Sequence, residues 1–148
     1  MSGMTYQLAN FAADLSYEDL PAEVIERTKL LIFDITGIMV RARHDAESTA
    51  SMISAVERLG LASGDCSVIG DTRAYASTAA ALVNGTLAHS LDFDDTHAAG
   101  SLHSSAPIVP AALAAAEMAG SSGRDLIAAC IVGYEVQIRL ALALNPSE

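Results

Sequence analysis

Tryptophan is absent from the sequence, and four tyrosines and three phenylalanines are its only aromatic residues. A core without large rings gains little area per side chain, so its helices must approach closely on small residues, chiefly the twenty-eight alanines. Helices of that kind each bury little on their own and are usually completed by others, which points to an obligate partner or further chain. Positive charge is also scarce. Eight Lys and Arg stand against eighteen Asp and Glu, a formal net charge of -10, and no basic run exists. Such a surface repels phosphate backbones and anionic headgroups, so neither nucleic acid nor an anionic membrane is expected as a partner.

Cysteine is limited to Cys66 and Cys130, far apart and with apolar neighbours. They read as buried thiols in a reducing compartment. The opening MSGMTYQLANF has neither a positive n-region nor an apolar h-region, so it does not read as a signal peptide. The most apolar run, Leu30 to Val40, is broken by Asp34 and falls well short of the roughly 18 residues a membrane span needs. A soluble, cytoplasmic protein is expected.

What is present is a chain of 148 residues, 51% of it hydrophobic, long enough for one domain with a real core. No repeat, low-complexity tract or linker divides it, so residues 1–148 are read as a single helical domain. Thr5 to Leu15 places Leu8, Phe11, Ala12 and Leu15 on one face of a first helix, which Ser16 ends. Pro21 opens a second, with Val24, Thr28, Leu31, Ile32, Ile35, Ile38 and Met39 at core spacing and Glu23 and Glu26 in its first turn. After a polar linker, RARHDAES, a third runs from Glu47 to Leu59 with Met52, Ile53, Val56 and Leu59 inward and Gly60 as its stop. Cys66, Val68 and Ile69 suggest a short extended piece. Ser77 caps a fourth helix, STAAALVNGTLAHSL, continuous through Asn84-Gly85 because its periodicity persists and Gly85 allows a close contact. Pro107 and Pro110 start a fifth, Ile108 to Ala119. Ser122 and Asp125 form the capping box of a sixth, extending to Leu142.

Between the fourth and fifth helices the pattern changes. His89, His97 and His103 gather with Asp92, Asp94 and Asp95 in HSLDFDDTHAAGSLHSSAPIVP, more ionisable groups than a helical core accommodates. His89 and Asp92, three apart, and Asp92 and Thr96, four apart, would share a helix face if the helix reached that far. A carboxylate beside a hydroxyl and an imidazole suits proton transfer at a carbon next to a carbonyl or carboxyl group. A solvated acidic turn explains the same residues. Divalent-cation binding is a weaker reading, since neither H-E-x-x-H nor an EF-hand pattern occurs. His103 precedes a helix start, where backbone N–H groups can hold a substrate carboxylate. Equally, Ser104 or Ser105 caps the helix and His103 is a surface residue. His44 is read as solvated, and Glu135 with Arg139 as an i, i+4 ion pair beside Tyr134.

The strings NGTLAHSLDFDDTH, LHSSAPIVPAALAAAE and GYEVQIR closely resemble the amino-terminal helical domain of the MmgE/PrpD family, which includes 2-methylcitrate dehydratase, cis-aconitate decarboxylase and iminodisuccinate epimerase. The likeness extends from TYQLANFAADL through GYEVQIR. It implies an all-α, multi-helix bundle that works as a dimer, without metal or organic cofactor, on small di- or tricarboxylates by proton transfer at carbon. By motif position Asp92, Thr96 and His103 match the family's active-site aspartate, threonine and histidine. His89, Asp95 and Ser104 lie in the same strings as expected substrate contacts, Ser104 standing where the family usually has proline. A lyase of the 2-methylcitrate dehydratase type is the leading expectation, with decarboxylase, epimerase or a non-catalytic assembly module as alternatives.

The resemblance further implies a second, α+β domain that supplies a lysine to the site, whereas the only lysine here, Lys29, lies outside the motif. Charge leads independently to the same place. A tricarboxylate approaching three aspartates needs cations, and Arg124 and Arg139 are the only basic residues after Arg73. The counter-charges are therefore expected from a complementary chain or a homo-oligomer partner, and the chain alone is expected to turn over little or nothing.

Overall fold

Small residues decide how this bundle closes, as the computed structural model, which describes residues 3–144, makes plain. Helix α1 (Met4–Asp14) lies on α6 (Gly123–Ala143) and fully buries no residue; Leu8 and Phe11 are half-buried while Ala12 is exposed. Ser16 ends it through a capping box with Asp19, whose Oδ2 accepts from Ser16 N at 3.0 Å and Oγ at 2.6 Å. Helix α2 (Ala22–Asp45) buries Thr28, Ile35, Ile38, Met39 and Ala42. It runs through most of the segment expected to be a linker. Burial of Ala42 and the Arg41–Asp45 and Arg43–Asp71 ion pairs hold its last turn, so His44 is helical.

Helix α3 (Ser48–Arg58) turns Ile53 and Val56 inward, but Leu59, expected inside, is 70% exposed because the helix ends before it and the chain reverses at Gly60. The short extended piece is real and has a partner: β1 (Cys66–Ser67) pairs antiparallel with β2 (Ala74–Tyr75). Asp71, between the strands, accepts from Arg73, Arg43 and the Tyr75 hydroxyl.

Helix α4 (Ser77–His89) is the centre, packed on α2, α3 and α5 (Ser105–Ala119). Ala79, Ala80, Val83, Leu87 and Ala88 are fully buried, and the small volumes of the three alanines let neighbouring backbones close in. Asn84 explains why the Asn-Gly pair does not break the helix. Its Oδ1 accepts from Ile69 N at 2.8 Å and its Nδ2 donates to Ser67 O at 2.9 Å, so a buried amide satisfies backbone groups that would otherwise cost about 1–3 kcal/mol each.

Helix α5 starts earlier than its prolines suggest. Pro107 lies in the first turn, where no N–H is needed, but Pro110 is interior and leaves the Ala106 carbonyl without its helical donor. Gly85 faces that carbonyl; a Cβ there would lie 3.5 Å from the oxygen, an ordinary contact rather than an enforced close one. The tight approach is elsewhere, at Gly133, where a Cβ would meet Ile108 Cγ2 at 2.7 Å. Helix α6 begins with the expected capping box of Ser122 and Asp125 and anchors through Ile127, Ala128, Cys130 and Ile131. It is also long and apolar enough by composition to cross a bilayer, which a reading centred on Leu30 to Val40 misses. The described residues thus form an all-α bundle with one minimal two-stranded ladder.

Candidate active site

Helix α4 ends at His89, and the chain then bends rather than continuing. Ser90 Oγ donates to Thr86 O at 2.5 Å, Asp92 N donates to His89 O at 3.0 Å, and Asp92 takes a left-handed φ of 55°. Aspartate tolerates that region better than most residues. Neither His89 with Asp92 nor Asp92 with Thr96 shares a helix face, contrary to the spacing argument. A turn brings the groups together instead.

Beyond it the loop folds on itself. His97 N donates to Leu102 O at 2.8 Å across an isolated bridge, and His97 Nδ1 accepts from Gly100 N at 3.0 Å around the 3₁₀ turn Ala98–Gly100. A Cβ on Gly100 would sit 2.9 Å from that nitrogen, so only glycine closes the turn. His103 returns to His89 as a result, their rings edge-to-face with centroids 4.9 Å apart.

Asp94 lies between the two imidazoles. Its side chain is fully buried, with Oδ1 and Oδ2 at 3.0 and 3.1 Å from His89 Nδ1 and Oδ2 at 3.4 Å from His103 Nδ1. His103 Nδ1 is buried and has no hydrogen bond of good geometry, while Nε2 lies 4.0 Å from Asp92 Oδ1. Asp92 is 79% exposed in its side chain. His89 and His103, but neither Asp92 nor Asp94, line an open recess of about 530 Å³ walled otherwise by Leu82, Gly85, Thr86, Ala106 and Pro107. No lysine or arginine lines it.

The other expected residues behave differently. Asp95 Oδ1 accepts from Ser105 N at 3.0 Å and Oδ2 accepts from the Tyr134 hydroxyl at 3.2 Å. That hydroxyl also bonds Ser105 Oγ, and burial pushes the phenol far above its ordinary range, so it stays protonated. Asp95 thus occupies the N-terminus of α5, the place proposed for a substrate carboxylate, and neither Ser104 nor Ser105 caps the helix by its side chain. Ser104 is fully buried, its hydroxyl unpaired and away from the recess walls. Thr96 is exposed, and its hydroxyl makes no hydrogen bond among the described residues. Glu135 and Arg139 pair as expected, Oε2 to Nη2 at 2.6 Å.

Sequence reasoning assigned no role to Asp94 or Tyr134. Around Asp94 the usual order is inverted, Phe93 being 67% exposed while its acidic neighbour is buried, and no signal in the sequence announces it. Ligand atoms of His89, Asp92, Asp94 and His103 lie within 4.8 Å of one another, a donor set that suits a zinc-class cation if the side chains draw closer. Equally it suits proton transfer, with two imidazoles and two carboxylates in reach of one recess.

The chain is 35% identical over 150 residues to the cis-aconitate decarboxylase-like protein oryM of Aspergillus oryzae. It is 33% identical over 154 residues to cis-aconitate decarboxylase of Aspergillus terreus and 35% identical over 148 residues to that of Homo sapiens. These matches cover 95%, 99% and 95% of this chain but only 30%, 31% and 30% of the relatives, so the chain spans about 30% of their length. Residues 6–148 match the MmgE/PrpD N-terminal domain, and the chain belongs to the MmgE/PrpD family.

Proposed function

We propose that this chain supplies the acid–base part of an enzyme that moves a proton at carbon on a small di- or tricarboxylate, with decarboxylation of a cis-aconitate-like substrate as its reaction. The observation that carries this is the approach to Asp92 of His103 Nε2, from an imidazole that lines the recess with His89, with Asp94 between the two rings. The relatives' names favour decarboxylation over the dehydration of 2-methylcitrate that the motif alone suggested. In that reaction the bond to the departing carboxylate breaks, CO₂ leaves, and the electron pair left on carbon takes a proton from His103, which lies beside Asp92. Run as a dehydration, the same pair removes a proton and water departs.

Three carboxylates on a substrate need cations that the recess does not present. Arg124 and Arg139 are engaged with Glu18 and Glu135. The counter-charge therefore comes from a second copy or from a complementary chain, for which the greater length of the relatives leaves room. The same chain would cover α6, whose Leu140, Leu142 and Leu144 are exposed, and would do so in a soluble, cytoplasmic assembly rather than in lipid. Thr96 orients substrate only if that assembly folds the loop tip inward.

The test is reconstitution with a segment corresponding to the remainder of a full-length relative. CO₂ release from cis-aconitate is expected from the pair, not from either part, and is expected to vanish in Asp92→Asn. Equal turnover in that variant removes Asp92 from the chemistry. Stable association with no turnover on cis-aconitate or 2-methylcitrate identifies instead a helical assembly module, the reading that the exposed leucines of α6 favour.

A further inference from the structure

Asp94 has no part in the motif-based assignment, yet it is the one carboxylate of the three with a fully buried side chain, and both imidazoles turn Nδ1 toward it. An ionised carboxylate offers only lone pairs, so an imidazole hydrogen-bonds to it only with the proton on the facing nitrogen. A proton on Nδ1 of His103 leaves the lone pair on Nε2, the nitrogen 4.0 Å from Asp92 at the recess. The opposite tautomer would leave Nε2 no lone pair to take up the proton that His103 then delivers to carbon, and would set the Nδ1 lone pair against the oxygens of a buried carboxylate 3.4 Å away. We propose that Asp94 is a positioning residue: it fixes His103 as the Nδ1–H tautomer, aims basic Nε2 at the substrate, and is itself held in place by His89. The proposal deepens the proton-transfer reading above and rests on it only for the identity of the reaction.

His89 supplies the holding. Its Nδ1 reaches both oxygens of Asp94, and its ring edge meets His103, so rotation of the carboxylate away from either ring would break a contact. The fold also provides an internal control. His97 Nδ1 accepts a hydrogen bond from Gly100 N, which requires its proton on Nε2, and His44 is exposed. One chain thus carries two imidazoles set one way and one set the other.

Long-range proton–nitrogen correlation spectra of the ¹⁵N-labelled full chain, at a pH where the imidazoles are neutral, read each tautomer directly. His89 and His103 are expected as Nδ1–H and His97 as Nε2–H. In Asp94→Asn, His103 is expected to lose its Nδ1–H preference, while in His89→Gln, which keeps the carboxylate, it is expected to retain it. A wild-type His103 protonated on Nε2 overturns the proposal, and that spectrum decides even if Asp94→Asn does not fold. An unchanged His103 in a folded Asp94→Asn overturns it as well. Turnover is not needed for the decision. A reconstituted enzyme without activity would sink the functional reading and leave the tautomer assignment standing, and an Nε2–H His103 would do the reverse.

Discussion

Replacing Tyr134 by phenylalanine tests whether the loop that carries the acidic residues is pinned from outside itself. The hydroxyl joins Asp95 Oδ2 at 3.2 Å and Ser105 Oγ, and Ser105 is 2% exposed. Removing it deletes a hydrogen bond to a carboxylate, worth about 1.5–3 kcal/mol, and strands a buried serine hydroxyl. Asp95 is only half-buried, so water recovers part of that loss, and about 2 kcal/mol is the expected cost. For a chain of this size that lowers Tm by roughly 4–8 °C, measurable by circular dichroism. Asp95→Ala removes the acceptor of Ser105 N as well and is expected to cost more. In the double variant the two losses overlap by about 1–2 kcal/mol. Alkaline titration gives an independent reading. A phenol raised by burial contributes its full stabilisation below its unfolded value of about 10 and loses it as pH rises toward the folded value. Wild type should therefore weaken above that pH more steeply than Tyr134→Phe. A Tyr134→Phe protein within about 0.5 kcal/mol of wild type, or strict additivity with Asp95→Ala, would refute the pinning argument.

Asp71 is held far below the ordinary carboxylate range, first by the Arg73 guanidinium and also by the Tyr75 hydroxyl. Its contribution is complete above the unfolded value near 4 and is lost as pH falls below it, so Asp71→Asn should cost about 1–3 kcal/mol at neutral pH and flatten the acid limb of a urea-midpoint-versus-pH curve. An equally steep limb in the variant would count against it. Burial pushes the Cys130 thiol up to about 11 and raises that of Cys66, so a thiol reagent at mildly alkaline pH should label neither cysteine in the native chain and both in denaturant; rapid native labelling would show that one is accessible. The family resemblance implies chemistry without a metal even though four donors cluster, so chelation of a reconstituted enzyme should leave turnover unchanged. Activity lost to chelation and restored by Zn²⁺ would reassign the cluster.

The regular parts of the fold were legible because local chemistry and tertiary packing agree there. Ile35, Ile38 and Met39 repeat at helical spacing and are buried, and Ser122 with Asp125 forms the capping box that its spacing announces. Reading failed where a distant group decides. The last turn of α2 looks like a polar linker until Asp71, across the bundle, pairs with Arg43. Pro110 reads as a helix start, but the helix runs through it from Ser105 and leaves only the Ala106 carbonyl without its helical donor. At the candidate site the stretch rich in ionisable groups was visible from composition, and Asp92, His89 and His103 do converge. Nothing local separates Asp94 from Asp92 or Asp95, because all three share a residue type in an irregular segment, and only the return of His103 and the approach of α6 sort them.

That sorting explains why the segment carries three carboxylates although its chain is already strongly acidic. Placed together, they would repel one another and any anionic substrate. The fold instead sets two of them against internal donors: Asp94 between the imidazoles of His89 and His103, and Asp95 under the N-terminus of α5 beside Tyr134. Only Asp92 is left largely exposed, in a left-handed turn, with His103 Nε2 as its nearest imidazole nitrogen. Its two neighbours are then the means of its placement. Asp95 fastens the loop to the bundle, Asp94 sets the imidazole that Asp92 faces, and a carboxylate with few internal partners remains available for the chemistry of a bound acid.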